Sequence, residues 1–263
     1  MKIIYTPGGR AREYSPFASN HYLGCDHDCV YCFNKMRTFF TNPPHLVKDW
    51  QKKVLADATM LSGKHDQVLL SFCSDPYCKA EMTLHATRQV LNMFLPHKIP
   101  TAILTKGGLN CLKDLNLFQA FGKKIKVGAT LTFTNKKHSL HYEPGAAVPK
   151  DRFKMLKVLH DNGVRNWVSL EPVIDVQQTL DIIDITKDYV DEYKVGKLNG
   201  YNLAKNNPFN LNTQPDWKQF MHEVVTKLRS YGNNFYIKQD LRKYDPTFKL
   251  TKNEKDHDYL NVR

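Results

Sequence analysis

Short apolar runs rich in β-branched residues alternate with amphipathic segments along this chain, and that alternation limits the fold more than any other feature. The runs are "QVLLSFC" (67–73), "PTAILT" (100–105), "IKVGATLTF" (125–133), "NWVSLEPV" (166–173), "EYKVGKL" (192–198) and "NFYIKQ" (234–239). Between them lie helical patterns over 46–61, 83–95, 111–121, 150–163, 179–190 and 216–232. In the last of these, Trp217, Phe220, Val224 and Leu228 form a stripe close to a 3.6-residue period, with Asp216 as N-cap and Gly232 as the stop. Strand then helix, repeated about six times, demands parallel βα units with right-handed crossovers. A first strand is expected just before Cys25, around "SNHYLG". No Gly/Ser linker, composition shift or internal repeat divides the chain. The expectation is one α/β domain, an open or closed barrel rather than a flat doubly wound sheet. In βα barrels the chemistry sits at the C-terminal ends of the strands.

With 263 residues, 41% of them hydrophobic, the chain can bury a sizeable core. No apolar run approaches the length of about 18 residues that a membrane helix needs. "MKIIYTPGGRAREYSPF" has a short apolar patch followed by arginines, unlike a signal peptide. The expected location is therefore the cytoplasm, with no membrane partner. Thiols stay reduced there, so clustered cysteines point to metal or redox chemistry. Lys and Arg number 38 against 26 Asp and Glu, a net charge of +12. That balance favours a polyanionic partner, nucleic acid above all, with a basic but inert surface as the equal alternative.

"GCDHDCVYCFN" (24–34) places three of the six cysteines in the pattern Cys25-x3-Cys29-x2-Cys32. A structural zinc site takes four ligands, usually from two CxxC-type pairs. Here Cys73, Cys78 and Cys111 stand apart, and His27 sits between two of the cysteines in a tight loop. A [4Fe–4S] cluster also normally takes four cysteines, so three leave one iron open to a small molecule. A polar loop rich in Asp and His does not suit inert core thiols. Iron–sulfur cluster, zinc and packing are the three alternatives the residues leave.

Gly-Cys-x3-Cys-x-aromatic-Cys, in the loop after the first strand of a βα chain, resembles the signature of the radical S-adenosylmethionine (SAM) superfamily, with Tyr31 as the aromatic. The resemblance implies a partial (β/α)6 TIM-type barrel with one [4Fe–4S] cluster on Cys25, Cys29 and Cys32. It implies that the open iron holds SAM, whose reductive cleavage gives a 5′-deoxyadenosyl radical. It also implies an external electron donor of the flavodoxin or ferredoxin type. "CSDPYCKAE" (73–81), "ILTKGGL" (103–109), "YEPGAAVPKDRFKMLKVLHDNGV" (142–164), "SLEPVID" (169–175) and "VGKLN" (195–199) are similar to the spore photoproduct lyase-like branch. The matches cover residues from about 6 to 200, giving a radical SAM core over 1–200 and a C-terminal extension over 201–263 packed on the same domain. By resemblance, Ser74 and Asp75 bind the SAM amino group, Lys106 its carboxylate, and Thr130 the carboxylate or ribose. Glu171, before Pro172 at a strand end, is expected to reach a ribose hydroxyl or a substrate group. A cysteine near Cys73 returns a hydrogen atom to the substrate radical in that branch. Cys73 stands one residue from the usual place, with Cys78 as rival. The implied function is repair or modification of nucleic acid; peptide modification and a non-catalytic metal-bearing nucleic-acid binder are the alternatives.

Other residues carry weaker signals. Glu143 and Arg152 suggest an ion pair holding a loop, and Glu81 is either a motif residue or a surface one. Arg10 and Arg12 are candidates for substrate phosphate. "YIKQDLRKYDPTFKLTK" (236–252) interleaves basic and aromatic residues, a pattern for phosphate contact and base stacking. The polar tail "KLTKNEKDHDYLNVR" reads as mobile.

Overall fold

The computed structural model describes residues 3–36 and 40–263. Its strands are β1 (Ile4–Tyr5), β2 (Phe17–Ser19), β3 (Tyr22–Leu23), β4 (His45–Leu46), β5 (Val68–Leu70), β6 (Thr101–Thr105), β7 (Ile125–Thr130), β8 (Asn166–Val173), β9 (Glu192–Lys197) and β10 (Asn234–Ile237). β3 and β4 form a small ribbon, and the other eight make one sheet in the order β1-β2-β5-β6-β7-β8-β9-β10. β1 runs antiparallel to β2, and every later pair is parallel. The helices Trp50–Leu61, Ala86–Phe94, Leu115–Phe121, Pro149–Asp161, Val176–Thr186 and Trp217–Ser230 carry the chain from each parallel strand to the next. Each crossover lands on the adjacent strand in the same direction. That is barrel winding; a doubly wound sheet reverses its order partway. β1 and β10 remain separate edges. The fold is thus a partial (β/α)6 barrel with one further parallel strand.

Side-chain alternation along the strands separates two faces. Val68, Leu70, Ile103, Val127, Val168, Leu170 and Val195 point outward into one large apolar core shared with the helices. Ala18, Leu69, Ala102 and Trp167 point inward, where Tyr14 packs with them. The same inner rows carry buried Lys126 and Lys194. Lys126 Nζ is 2.8 Å from Glu192 and donates to the Leu260 carbonyl. Lys194 Nζ donates to the Glu13 carbonyl at 2.8 Å. In the helix Trp217–Ser230, Asp216 accepts from the Gln219 N–H as the expected N-cap, Phe220, Val224 and Leu228 are buried, and Gly232 adopts φ +69°.

Three expectations need correction. The first parallel strand of the sheet is Phe17–Ser19, not "SNHYLG"; Tyr22 and Leu23 pair instead with Leu46 and His45. The C-terminal tail is fixed: Leu260 and Val262 are 2% and 1% exposed, and Gln67 bonds both the Val262 N–H and Asn261. Tyr236 is buried with its hydroxyl on Glu13, so it offers no face for stacking. β10 pairs with β9 from Asn234 to Ile237, which brings the segment after residue 201 into the sheet itself. Among the described residues no helix is long and apolar enough to cross a membrane.

Candidate active site

The loop after β2 is held against the C-terminal mouth by its backbone. Cys25 N–H donates to Thr41, Val30 N–H to Tyr142, and Gly145 N–H to the His27 carbonyl. Asp26 accepts from the Lys79 N–H at 2.9 Å. Gly24, just before the first cysteine, has φ +82°, and a Cβ there would lie 2.1 Å from the Thr41 carbonyl oxygen. Only glycine meets both conditions. Cys25, Cys29 and Cys32 consequently line one cavity of about 1250 Å³ at the barrel mouth. None of the six cysteines is in a disulfide. Burial pushes the Cys25 and Cys29 thiols up, Cys29 to about 12. A neutral thiol is a poor nucleophile, and a bound cation is what would ionise it.

The same cavity is lined by Tyr31, Cys73, Ser74, Asp75, Lys106, Thr130 and Glu171. These seven therefore share one cavity with the three clustered cysteines. Asp75 is the joint of this wall. Its carboxylate accepts from Thr105 Oγ1 at 2.5 Å, the Lys106 N–H at 2.7 Å and the Tyr77 N–H at 2.8 Å. His27 Nδ1 lies 3.4 Å from the oxygen that takes the Lys106 N–H. Lys106 is thereby fixed at the end of β6. Its ammonium sits 5.8 Å from the Tyr31 ring centroid and has no carboxylate partner among the described residues. Burial works against that charge, but Cys29, Glu143 and Asp75 outweigh it and hold its pKa above the ordinary lysine value. Ser74 Oγ is buried with no hydrogen-bond partner among the described residues. Tyr31 donates to Glu143, which pairs with Arg152 at 2.6 Å, both side chains being buried. Arg152 also donates to the Thr130 and Ala147 carbonyls, so the expected ion pair does hold the loop.

Across the cavity, Glu171 accepts from the Tyr14 hydroxyl and from Lys238 Nζ at 2.6 Å. Lys238 reaches it past Gly196, whose missing side chain leaves that space open: a Cβ there would lie 2.7 Å from Lys238 Cδ and 3.0 Å from Glu171 Cδ. Burial, with Glu171 close by, raises the Tyr14 phenol well above its usual range, which keeps it a donor. Tyr14, Asn20 and Lys238 belong to the site without having been singled out in the sequence. Lys238 carries the same signal as Lys106, a lysine closing an apolar run. Tyr14 and Asn20 lie in no motif, and only the fold reveals them.

Other expectations fall elsewhere. Cys78 and Cys111 are buried in the outer apolar core. Glu81 is fully buried and takes bonds from Tyr22, Thr87 and Lys113, a structural carboxylate. Arg12 pairs with Asp258 at 3.0 Å, whereas Arg10 lines the cavity.

No protein-family model matches the chain. Among curated proteins it is 26% identical to an uncharacterised protein of Methanocaldococcus jannaschii over 229 residues, 81% of this chain and 86% of that one. It is 25% identical to an uncharacterised Mycobacterium tuberculosis protein over 169 residues, spanning about half of that relative's length (49%). Among solved structures, a mutant of spore photoproduct lyase superposes with a TM-score of 0.69 at 11% identity, covering 88% of this chain and 78% of that one. Streptococcus suis SuiB bound to S-adenosylmethionine gives 0.64 at 16% identity, covering 89% of this chain and 53% of SuiB. Both are radical SAM enzymes, and the chain shares their partial-barrel fold.

Proposed function

We propose that the chain is a radical SAM enzyme that repairs or modifies nucleic acid. The observation that carries this reading is the convergence of Cys25, Cys29 and Cys32 with Ser74, Lys106, Thr130 and Glu171 on one cavity at the mouth of the barrel. The donor set fits a [4Fe–4S] cluster with SAM. Three thiols line the cavity, while an unpartnered hydroxyl and an ammonium without a carboxylate stand ready for a small zwitterion. It fits zinc poorly, because His27, the histidine of the same loop, is turned to Asp75. Bound there, the cluster supplies the electron that cleaves SAM to methionine and a 5′-deoxyadenosyl radical.

In this reading Lys106 binds the SAM carboxylate and Ser74 the amino group. Asp75, expected beside Ser74 at the amino group, has both oxygens taken by Thr105, Tyr77 and Lys106 and positions Lys106 instead; Thr130 takes the SAM carboxylate or ribose, and Glu171 a ribose hydroxyl or a substrate group. Cys73 returns the hydrogen atom to the substrate. An external flavodoxin- or ferredoxin-type protein supplies the electron. The net charge of +12 supports a nucleic-acid substrate. The test is anaerobic reconstitution with iron and sulfide, read by visible absorption. SAM and a reductant follow, with product analysis on oligonucleotides and peptides. Changing any of the three cysteines to Ala is expected to abolish 5′-deoxyadenosine release. A triple variant that still releases it, or turnover of peptides alone, overturns the corresponding half of the proposal.

A further inference from the structure

Beside the main cavity a smaller pocket of about 220 Å³ is lined by Arg10, Lys197, Asn199, Asp240, Lys243 and Tyr244. Arg10, Lys197 and Asn199 line both spaces, so the pocket opens off the mouth. We propose that it is a nucleotide subsite, whose three cations each meet a phosphate of the substrate strand and whose Tyr244 stacks a base. The proposal rests on nucleic acid being the substrate class and adds where a second nucleotide is held.

Charge and geometry both point this way. Three cations face a single carboxylate. Arg10 is 53% exposed, and its nearest approach to Asp240 is 3.7 Å, too long for a hydrogen bond. Lys243 is exposed and has no ion-pair partner among the described residues. Lys197 Nζ lies 5.4 Å from the Trp217 ring and 5.7 Å from that of Tyr244, which places its charge beside the aromatic pair. Asp240 is buried and holds the Asn199 amide, so the pocket floor is fixed. Tyr244 is 43% exposed, and its ring is braced by Trp217 at 6.2 Å. A fixed exposed ring beside cations suits a base and its phosphate. An acidic peptide would bring carboxylates against Asp240 and leave the ring face unused.

The test uses the reconstituted 263-residue chain and a fluorescein-labelled single-stranded oligodeoxynucleotide, read by anisotropy. Tyr244→Ala is expected to weaken binding about five- to hundredfold, with Tyr244→Phe near wild type. Lys243→Gln should weaken it and reduce the log–log salt slope by about 0.7. Lys157→Gln removes the same charge from an exposed helix position paired with Asp161 and should leave affinity unchanged. Wild-type protein that binds an acidic peptide but no oligonucleotide overturns the subsite together with the substrate class. Tight oligonucleotide binding that Tyr244→Ala and Lys243→Gln both leave intact overturns the subsite alone.

Discussion

His21 is held in one tautomer by its neighbours. The Thr87 hydroxyl donates to the Pro76 carbonyl at 2.6 Å, so it accepts from His21 Nε2–H at 3.0 Å and leaves Nδ1 toward Ser71. Burial lowers the ring's pKa from 6.5 to about 3. Below about pH 6.5 the unfolded chain takes a proton that the folded one refuses. Stability is therefore full above that pH and declines as pH falls toward 3, by roughly 2 kcal/mol at pH 5. Urea titrations at pH 7.5 and 5 should show this loss in the wild type and a loss smaller by roughly 2 kcal/mol in His21→Gln; equal losses would mean that the folded ring protonates freely. Cys73 makes a second case. Cys73→Ala, with the three cluster cysteines intact, is expected to keep releasing 5′-deoxyadenosine while product formation stalls; normal product would leave Cys73 a packing residue. Its orientation was illegible in the sequence because the expected strand over 67–73 stops at Leu70. Ser71, at φ +58°, then turns the chain, so strand alternation no longer decides where Cys73 faces. Lys106 and Glu171 were legible because each stands at the end of a clear apolar run.

The helices and parallel strands from residue 50 onward could be read because their hydrophobic periods are strong. β2 could not: three residues, Phe17 to Ser19, carry no pattern of their own and are strand only because β1 and β5 flank them. The polar C-terminal segment misled for the opposite reason. Composition suggests mobility, but Leu260 and Val262 are buried and the Leu260 carbonyl takes the Lys126 ammonium. Leu260→Ala is therefore expected to cost about 2–5 kcal/mol, the range for a buried leucine. Denaturant unfolding would register it as a lower midpoint with an unchanged m-value. A midpoint within error of wild type would show that this segment contributes nothing to the core.

At the scale of the whole molecule, 38 basic and 26 acidic residues leave +12, which steers an anion toward the protein without saying where it docks. Much of the buried charge is already paired, as in Arg152 with Glu143, Lys126 with Glu192 and Lys238 with Glu171. At the mouth, Arg10 and Lys197 line both the cavity and its side pocket, and Lys243 lines the pocket with them. If these three each neutralise one phosphate of a single strand, log K should fall with log salt at a slope near −2, at about 0.7 per contact. Raising salt from 50 to 200 mM would then weaken oligonucleotide binding about twentyfold. Anisotropy titrations across that range measure the slope directly. A slope near zero would mean that no phosphate is neutralised, and the charge would then be a property of the surface rather than of the site.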